Sequence, residues 1–124
     1  GDAGADRRIQ ESLEFLHEHF AEKITIPDLA ARAYLSVSRY SHLFRRMKGV
    51  PPGQYLQQFR IGKARELLIS STLSVGEIAV RCGFDDLFYF SNLFRRLTGI
   101  SPRGYRAGIR SIAPLFDSAN PLPR

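Results

Sequence analysis

The 124-residue chain predicts an all-α fold of seven helices, arranged as two helix-turn-helix halves joined by a long helix. Three observations lead there. The segment Ser41–Tyr55 (SHLFRRMKGVPPGQY) lies over Ser91–Tyr105 (SNLFRRLTGISPRGY) at an offset of 50, with eight identities in fifteen positions. Self-similarity at such a period marks a structural unit used twice. Upstream the offset drops to 49, pairing Ala30 with Ala79 and Arg32 with Arg81, so the second copy gains one residue in its turn. Within each copy the apolar residues recur at the helical period and not in strand-like alternation, and each run is bracketed by capping residues.

The elements follow in order. Residues 1–6 are small and polar and read as a linker or a cloning remnant, and without an initiator Met the chain is expected to be a piece of a longer protein. Ile9, Leu13, Leu16 and Phe20 mark an acidic amphipathic first helix. Thr25 and Asp28 form a capping pair ahead of the stripe Ile26, Leu29, Ala30 and Ala33, which stops at Tyr34. After a short turn Ser36 caps a second helix, with Tyr40, Leu43, Phe44 and Met47 inward and Gly49 as its C-cap. This first helix-turn-helix spans about 26–48. Pro51 and Pro52 open the joining helix, about 51–69, because the first turn has no use for the N–H that proline lacks. In the second helix-turn-helix, about 75–97, Ser74 and Glu77 form the capping box, Val75, Ile78 and Ala79 the stripe, and Gly83 the turn. Asp85 or Asp86 then caps a helix carrying Phe90, Leu93, Phe94 and Leu97 and ending at Gly99. Tyr34 stands where Gly83 stands in the second copy, which predicts a slightly different first turn. Ser101 and Pro102 open a last short helix, and residues 111–124, with Pro114, Pro121 and Pro123, read as a disordered tail or a crossing strap. The folded domain is expected over 7–110.

Charge is unevenly placed. Residues 1–31 hold three basic and seven acidic side chains, whereas residues 32–110 hold fourteen basic and four acidic, twelve of the fourteen being Arg. A field of that sign favours a polyanion, and the planar guanidinium suits bidentate contacts to phosphates and bases better than an ammonium does. The single Cys82 excludes an internal disulfide, and no Cys or His cluster has metal-ligand spacing, so neither metal nor cofactor is expected. A reducing cytoplasm fits, and no run is long and apolar enough to span a membrane.

The second helix of a helix-turn-helix fits the major groove, which is roughly 12 Å wide. Turning Tyr40, Leu43, Phe44 and Met47 inward at about 100° per residue leaves Ser38, Ser41, His42 and Arg45 on the outer face, with Arg39 beside them. The same rotation in the second copy exposes Phe88, Ser91, Asn92 and Arg95. Ser38, Arg39, Ser41 and His42 suit base edges, and Asn92 suits adenine. Leu87 and Phe88 have only thymine methyls or protein to touch. Arg45, Arg46, Arg60, Lys63, Arg95, Arg96 and Arg103 are assigned to backbone phosphates, which fix register without reading sequence.

Ser36–Arg46 (SVSRYSHLFRR) and Gly83–Arg96 (GFDDLFYFSNLFRR), followed by Thr98–Pro102 and Tyr105 and spaced from Arg60, Lys63 and Ala64, make the chain resemble the AraC/XylS family of transcription regulators over about Ile9–Arg110. The resemblance implies homeodomain-like halves whose two recognition helices lie about one DNA turn apart on one face of the duplex. Its base-facing slots fall on Ser38, Arg39, Ser41 and His42, and on Asp86, Leu87, Phe88, Ser91 and Asn92. It further implies double-stranded DNA as partner, an N-terminal effector-binding or dimerisation domain outside this chain, activation through RNA polymerase, and a cytoplasmic, nucleoid-associated protein. Two other classes stay open from the residues alone: a DNA-repair alkyl-transfer piece, which would need a reactive Cys82, and a basic helical module for an acidic protein.

Overall fold

Capping chemistry decides where the four helices of the two helix-turn-helix pairs start. The structure is a computed structural model that describes residues 2–112, and among these it has seven helices and no strand. They are α1 (Asp2–His19), α2 (Ile26–Arg32), α3 (Val37–Lys48), α4 (Pro52–Ser70), α5 (Val75–Arg81), α6 (Leu87–Thr98) and α7 (Pro102–Ile112). Residues 2–6, expected as linker, form the first turns of α1, and Ala5 packs against the core. Phe20 lies just past that helix, still against the core. Residues 111 and 112 close α7, and the rest of the expected tail lies outside the described residues.

The chain divides into two units, Gly1–Arg60 and Ile61–Arg124, with α4 running from the first into the second. Each is built on the same plan. In the first, α1 and α2 pack on α3, burying Ile9, Leu13, Leu16, Leu29, Ala30, Ala33, Tyr40, Leu43, Phe44 and Leu56. In the second, α5 and α7 pack on α6, and the buried set is Ile61, Ala64, Leu68, Ile78, Ala79, Cys82, Phe84, Phe90, Leu93 and Phe94. Tyr40, Leu43 and Phe44 correspond to Phe90, Leu93 and Phe94, and burying each such side chain contributes about 1.5–3 kcal/mol. A tyrosine ring closes each aromatic cluster edge-on: Phe44 meets Tyr55 at 5.3 Å and Phe94 meets Tyr105 at 5.7 Å between ring centres. Met47 and Leu97, expected inward, are substantially exposed, because they sit one turn beyond the packed stripe as the helix runs out from under its neighbours.

The turns of the two copies are built alike. After α2 the Leu35 N–H donates to Ala30 O and the Tyr34 N–H to Ala31 O; after α5 the Phe84 N–H donates to Ala79 O and the Gly83 N–H to Val80 O. This is the Schellman pattern, which needs a left-handed residue. Tyr34 supplies it at φ 57° and Gly83 at φ 92°. The slightly different first turn expected at Tyr34 is a difference in φ alone within one hydrogen-bond pattern, and the residue gained in the second copy is Asp85, inserted between Phe84 and the helix cap.

Candidate nucleic-acid interface

The outer faces of α3 and α6 follow from what their inner faces bury. With Tyr40, Leu43 and Phe44 in the core of the first unit, α3 sends Ser38, Arg39, His42, Arg45 and Arg46 to solvent and leaves Ser41 half-buried. In the second unit the burial of Phe90, Leu93 and Phe94 exposes Leu87, Phe88, Tyr89, Asn92, Arg95 and Arg96, with Ser91 half-buried. Among the described residues no intramolecular hydrogen bond or ion pair holds the side chains of Arg39, His42, Arg45, Asn92 or Arg95.

The first turn of each helix is pinned. Ser36 Oγ accepts the Arg39 N–H at 3.1 Å, and Asp86 Oδ1 accepts the N–H groups of Phe88 and Tyr89 at 2.8 and 3.1 Å. Asp86, a base-facing slot by resemblance, thus spends its carboxylate on the cap. Upstream, Thr25 with Asp28 and Ser74 with Glu77 form complete capping boxes that fix α2 and α5. Beneath α3, the Ser12 hydroxyl donates to Ile9 O at 2.9 Å and shares a hydrogen bond with the Tyr40 phenol at 2.8 Å, locking α1 to α3. Burial pushes the Tyr40 phenol above its ordinary pKa, offset in part by that hydrogen bond; burial also raises Tyr55.

Of the residues assigned to phosphates, Arg45, Arg46, Arg95, Arg96 and Arg103 are exposed. Arg60 is not available in the expected way. Its Nε donates to Phe20 O at 2.7 Å and its Nη2 to Glu22 O at 2.8 Å, so it ties down the chain leaving α1. Lys63 is half-buried and pairs with Glu66 at 3.5 Å. Both sit on α4 beside carbonyls or carboxylates that compete for their donors. Arg106, which sequence reasoning gave no role, does in the second unit what Arg60 does in the first: Nε, Nη1 and Nη2 donate to Leu68 O, Leu73 O and Ser71 O at 3.1, 2.6 and 3.2 Å. The repeat offset places Arg110 opposite Arg60, and Arg106 is one helical turn earlier on the same face, so identity at the offset could not reveal it.

Two exposed first-turn residues were also missed, Val37 and Tyr89. The repeat does signal them, because it sets Val37 against Leu87 and Arg39 against Tyr89. Cys82 is fully buried at the end of α5, without the accessible surroundings that an alkyl acceptor requires. Among the described residues no group of His, Cys, Asp and Glu stands together as a metal site, and no helix is long and apolar enough to cross a membrane.

Comparison with known proteins gives this geometry a family. A model described as "Helix-turn-helix domain" matches residues 29–108. The chain is 41% identical over 108 residues to the HTH-type transcriptional activator RhaS of Citrobacter koseri, and 36% identical over 104 residues to the arabinose operon regulatory protein of Escherichia coli. Its fold is similar to the DNA-binding domain of AdpA, solved in complex with a target DNA, at a TM-score of 0.83 and 39% identity over 86% of this chain and 96% of that one. The chain belongs to the AraC/XylS family, as a helix-turn-helix DNA-binding domain. A regulator from Chromobacterium violaceum with an AraC-type DNA-binding domain is similar too, at a TM-score of 0.77 and 28% identity over 85% of this chain and 94% of that one. The match to RhaS covers 87% of this chain and 39% of the activator, and that to the arabinose regulator 83% and 36%. Of the nine positions that the resemblance assigns to base edges, eight lie on α3 and α6; the ninth, Asp86, is the cap of α6.

Proposed function

We propose that the chain binds double-stranded DNA sequence-specifically, with α3 and α6 each entering a major groove, and so places a transcription regulator on its promoter. The observation that carries this reading is the twice-built unit in which a capped helix turns an aromatic stripe inward and an arginine-bearing polar face outward. Ser38, Arg39, Ser41 and His42 read bases from α3, and Asn92 reads adenine from α6 with Ser91, Leu87 and Phe88 beside it. Arg45, Arg46, Arg95, Arg96 and Arg103 hold phosphates. The likeness to the activator RhaS supports an activating role through RNA polymerase, and the share of that protein left uncovered leaves room for an effector-binding or dimerisation domain. The protein works in the cytoplasm on the nucleoid, by binding and not by catalysis.

In vitro selection from a random duplex library at near-physiological salt tests this. Two preferred blocks of base pairs are expected; recovery of no preferred sequence overturns the reading. On a selected duplex, Arg45→Ala should weaken binding to specific and random DNA alike and lower the salt slope by about 1, whereas His42→Ala relaxes preference at one or two base pairs. Asn92→Ala should cost about 1–3 kcal/mol on the selected site through loss of a bidentate adenine contact.

A further inference from the structure

The first turn of α6 carries the most exposed large apolar side chain of either recognition helix. Phe88 is 82% exposed, with Leu87 at 47% before it. The same position in α3 is Ser38, so the two helices, alike in fold, differ in chemistry at the turn that reaches base edges. From Phe88, Asn92 and Arg95 follow at i+4 and i+7, placing phenyl, amide and guanidinium in one stripe.

We infer that Phe88 is a specificity-determining residue that selects thymine through its 5-methyl group, on the face where Asn92 reads adenine. The inference rests on the reading of α6 as a DNA-recognition helix. A phenyl ring has neither donor nor acceptor to offer a base edge. Against guanine O6 and N7 or cytosine N4 it strips water from polar atoms and replaces no hydrogen bond, a desolvation penalty that a methyl group does not incur. Thymine is the one base whose major-groove edge carries an apolar group. Charge selects DNA as occupant over an apolar protein surface: Arg95 and Arg96 lie on the same helix and Arg103 opens the next, against the exposed Asp85, while the Asp86 carboxylate is turned back into the cap.

The test uses the whole chain and a selected duplex, with binding followed by fluorescence anisotropy. The block read by α6 is identified as the one whose preference is lost in Asn92→Ala. Thymines in that block are replaced one at a time by deoxyuridine, which removes only the methyl. At one thymine the affinity is expected to fall about fourfold, the effect of one buried methyl. Phe88→Ala, an exposed position whose change leaves the core intact, should bind the thymine and deoxyuridine duplexes equally. Equal binding of both duplexes by the unsubstituted protein overturns the inference, as does a methyl effect that persists in Phe88→Ala. Either result leaves DNA recognition by α6 standing. Loss of all sequence preference in the selection would instead remove the reading beneath it.

Discussion

Tyr34 and Gly83 hold one backbone conformation at unequal cost. At φ 57° the tyrosine Cβ crowds the following carbonyl, a penalty of about 1 kcal/mol or somewhat more, which glycine at φ 92° does not incur. The Tyr34 side chain is 86% exposed, so little packing compensates. Tyr34→Gly should therefore raise stability by roughly 0.5 kcal/mol, once the looser unfolded chain is set against the relieved strain. In thermal denaturation this reads as a rise of about 2–3 °C, and a fall would show that the tyrosine ring earns its place by a contact. Gly83→Ala should lose about 1 kcal/mol. Arg60 carries a second prediction at this scale. Two charge-assisted bonds to main-chain carbonyls make Arg60→Ala destabilising by about 2 kcal/mol. Because those donors face protein, the salt slope of DNA binding should stay put. A drop of about 1 in the slope would return Arg60 to the phosphates.

At the scale of elements, caps and cross-helix bonds set how firmly the reading helices are held. Asp86→Ala leaves two N–H groups of α6 unpaired and should lower stability by about 1 kcal/mol, whereas Asp86→Ser keeps a cap. If both variants instead fold alike and both shift base preference, Asp86 reads DNA after all. On α3, the neutral Tyr40 phenol is the form the core favours, so its raised pKa contributes stability that is present below pH 10 and lost as pH climbs through the folded value. Tyr40→Phe should cost about 1 kcal/mol at neutral pH through the lost bond to Ser12, then narrow its deficit in alkaline urea titrations. A constant deficit across that range would exclude the linkage. Most of this was legible in the chain. The capping residues, the stripes and the joining helix are local signals, and local signals survive folding. Met47 and Leu97 were misread because periodicity reports which way a side chain points, not whether a neighbour extends far enough to cover it. Arg60 and Arg106 were obscured for a related reason: exposed and structural charges look identical until the carbonyls they meet are known, whereas Asp86 was legible as a candidate cap.

The whole molecule sets an acidic end against a basic body, and that contrast makes a prediction of its own. Glu11, Glu14 and Glu18 are exposed on α1, while the arginines of α3, α6 and α7 supply the attraction for a polyanion. The repulsion between α1 and DNA depends on how far its carboxylates lie from phosphates relative to the screening length, about 30 Å at 0.01 M salt and 8 Å at 0.15 M. The inner face of α1 packs on the core beneath α3, whose outer face meets the groove in the proposed function, so in that reading the helix stands behind the DNA-facing surface of its own unit. Replacing the three glutamates by glutamine should then tighten binding roughly threefold at 0.01 M salt, on specific and random duplexes equally, and leave it unchanged at 0.15 M. Arg45→Ala, which removes a charge that the proposed function sets against a phosphate, should instead weaken binding under both conditions. Were the glutamine variant to bind more tightly at 0.15 M as well, α1 would lie within a Debye length of the duplex, and its acidity would act as a local brake on non-specific binding.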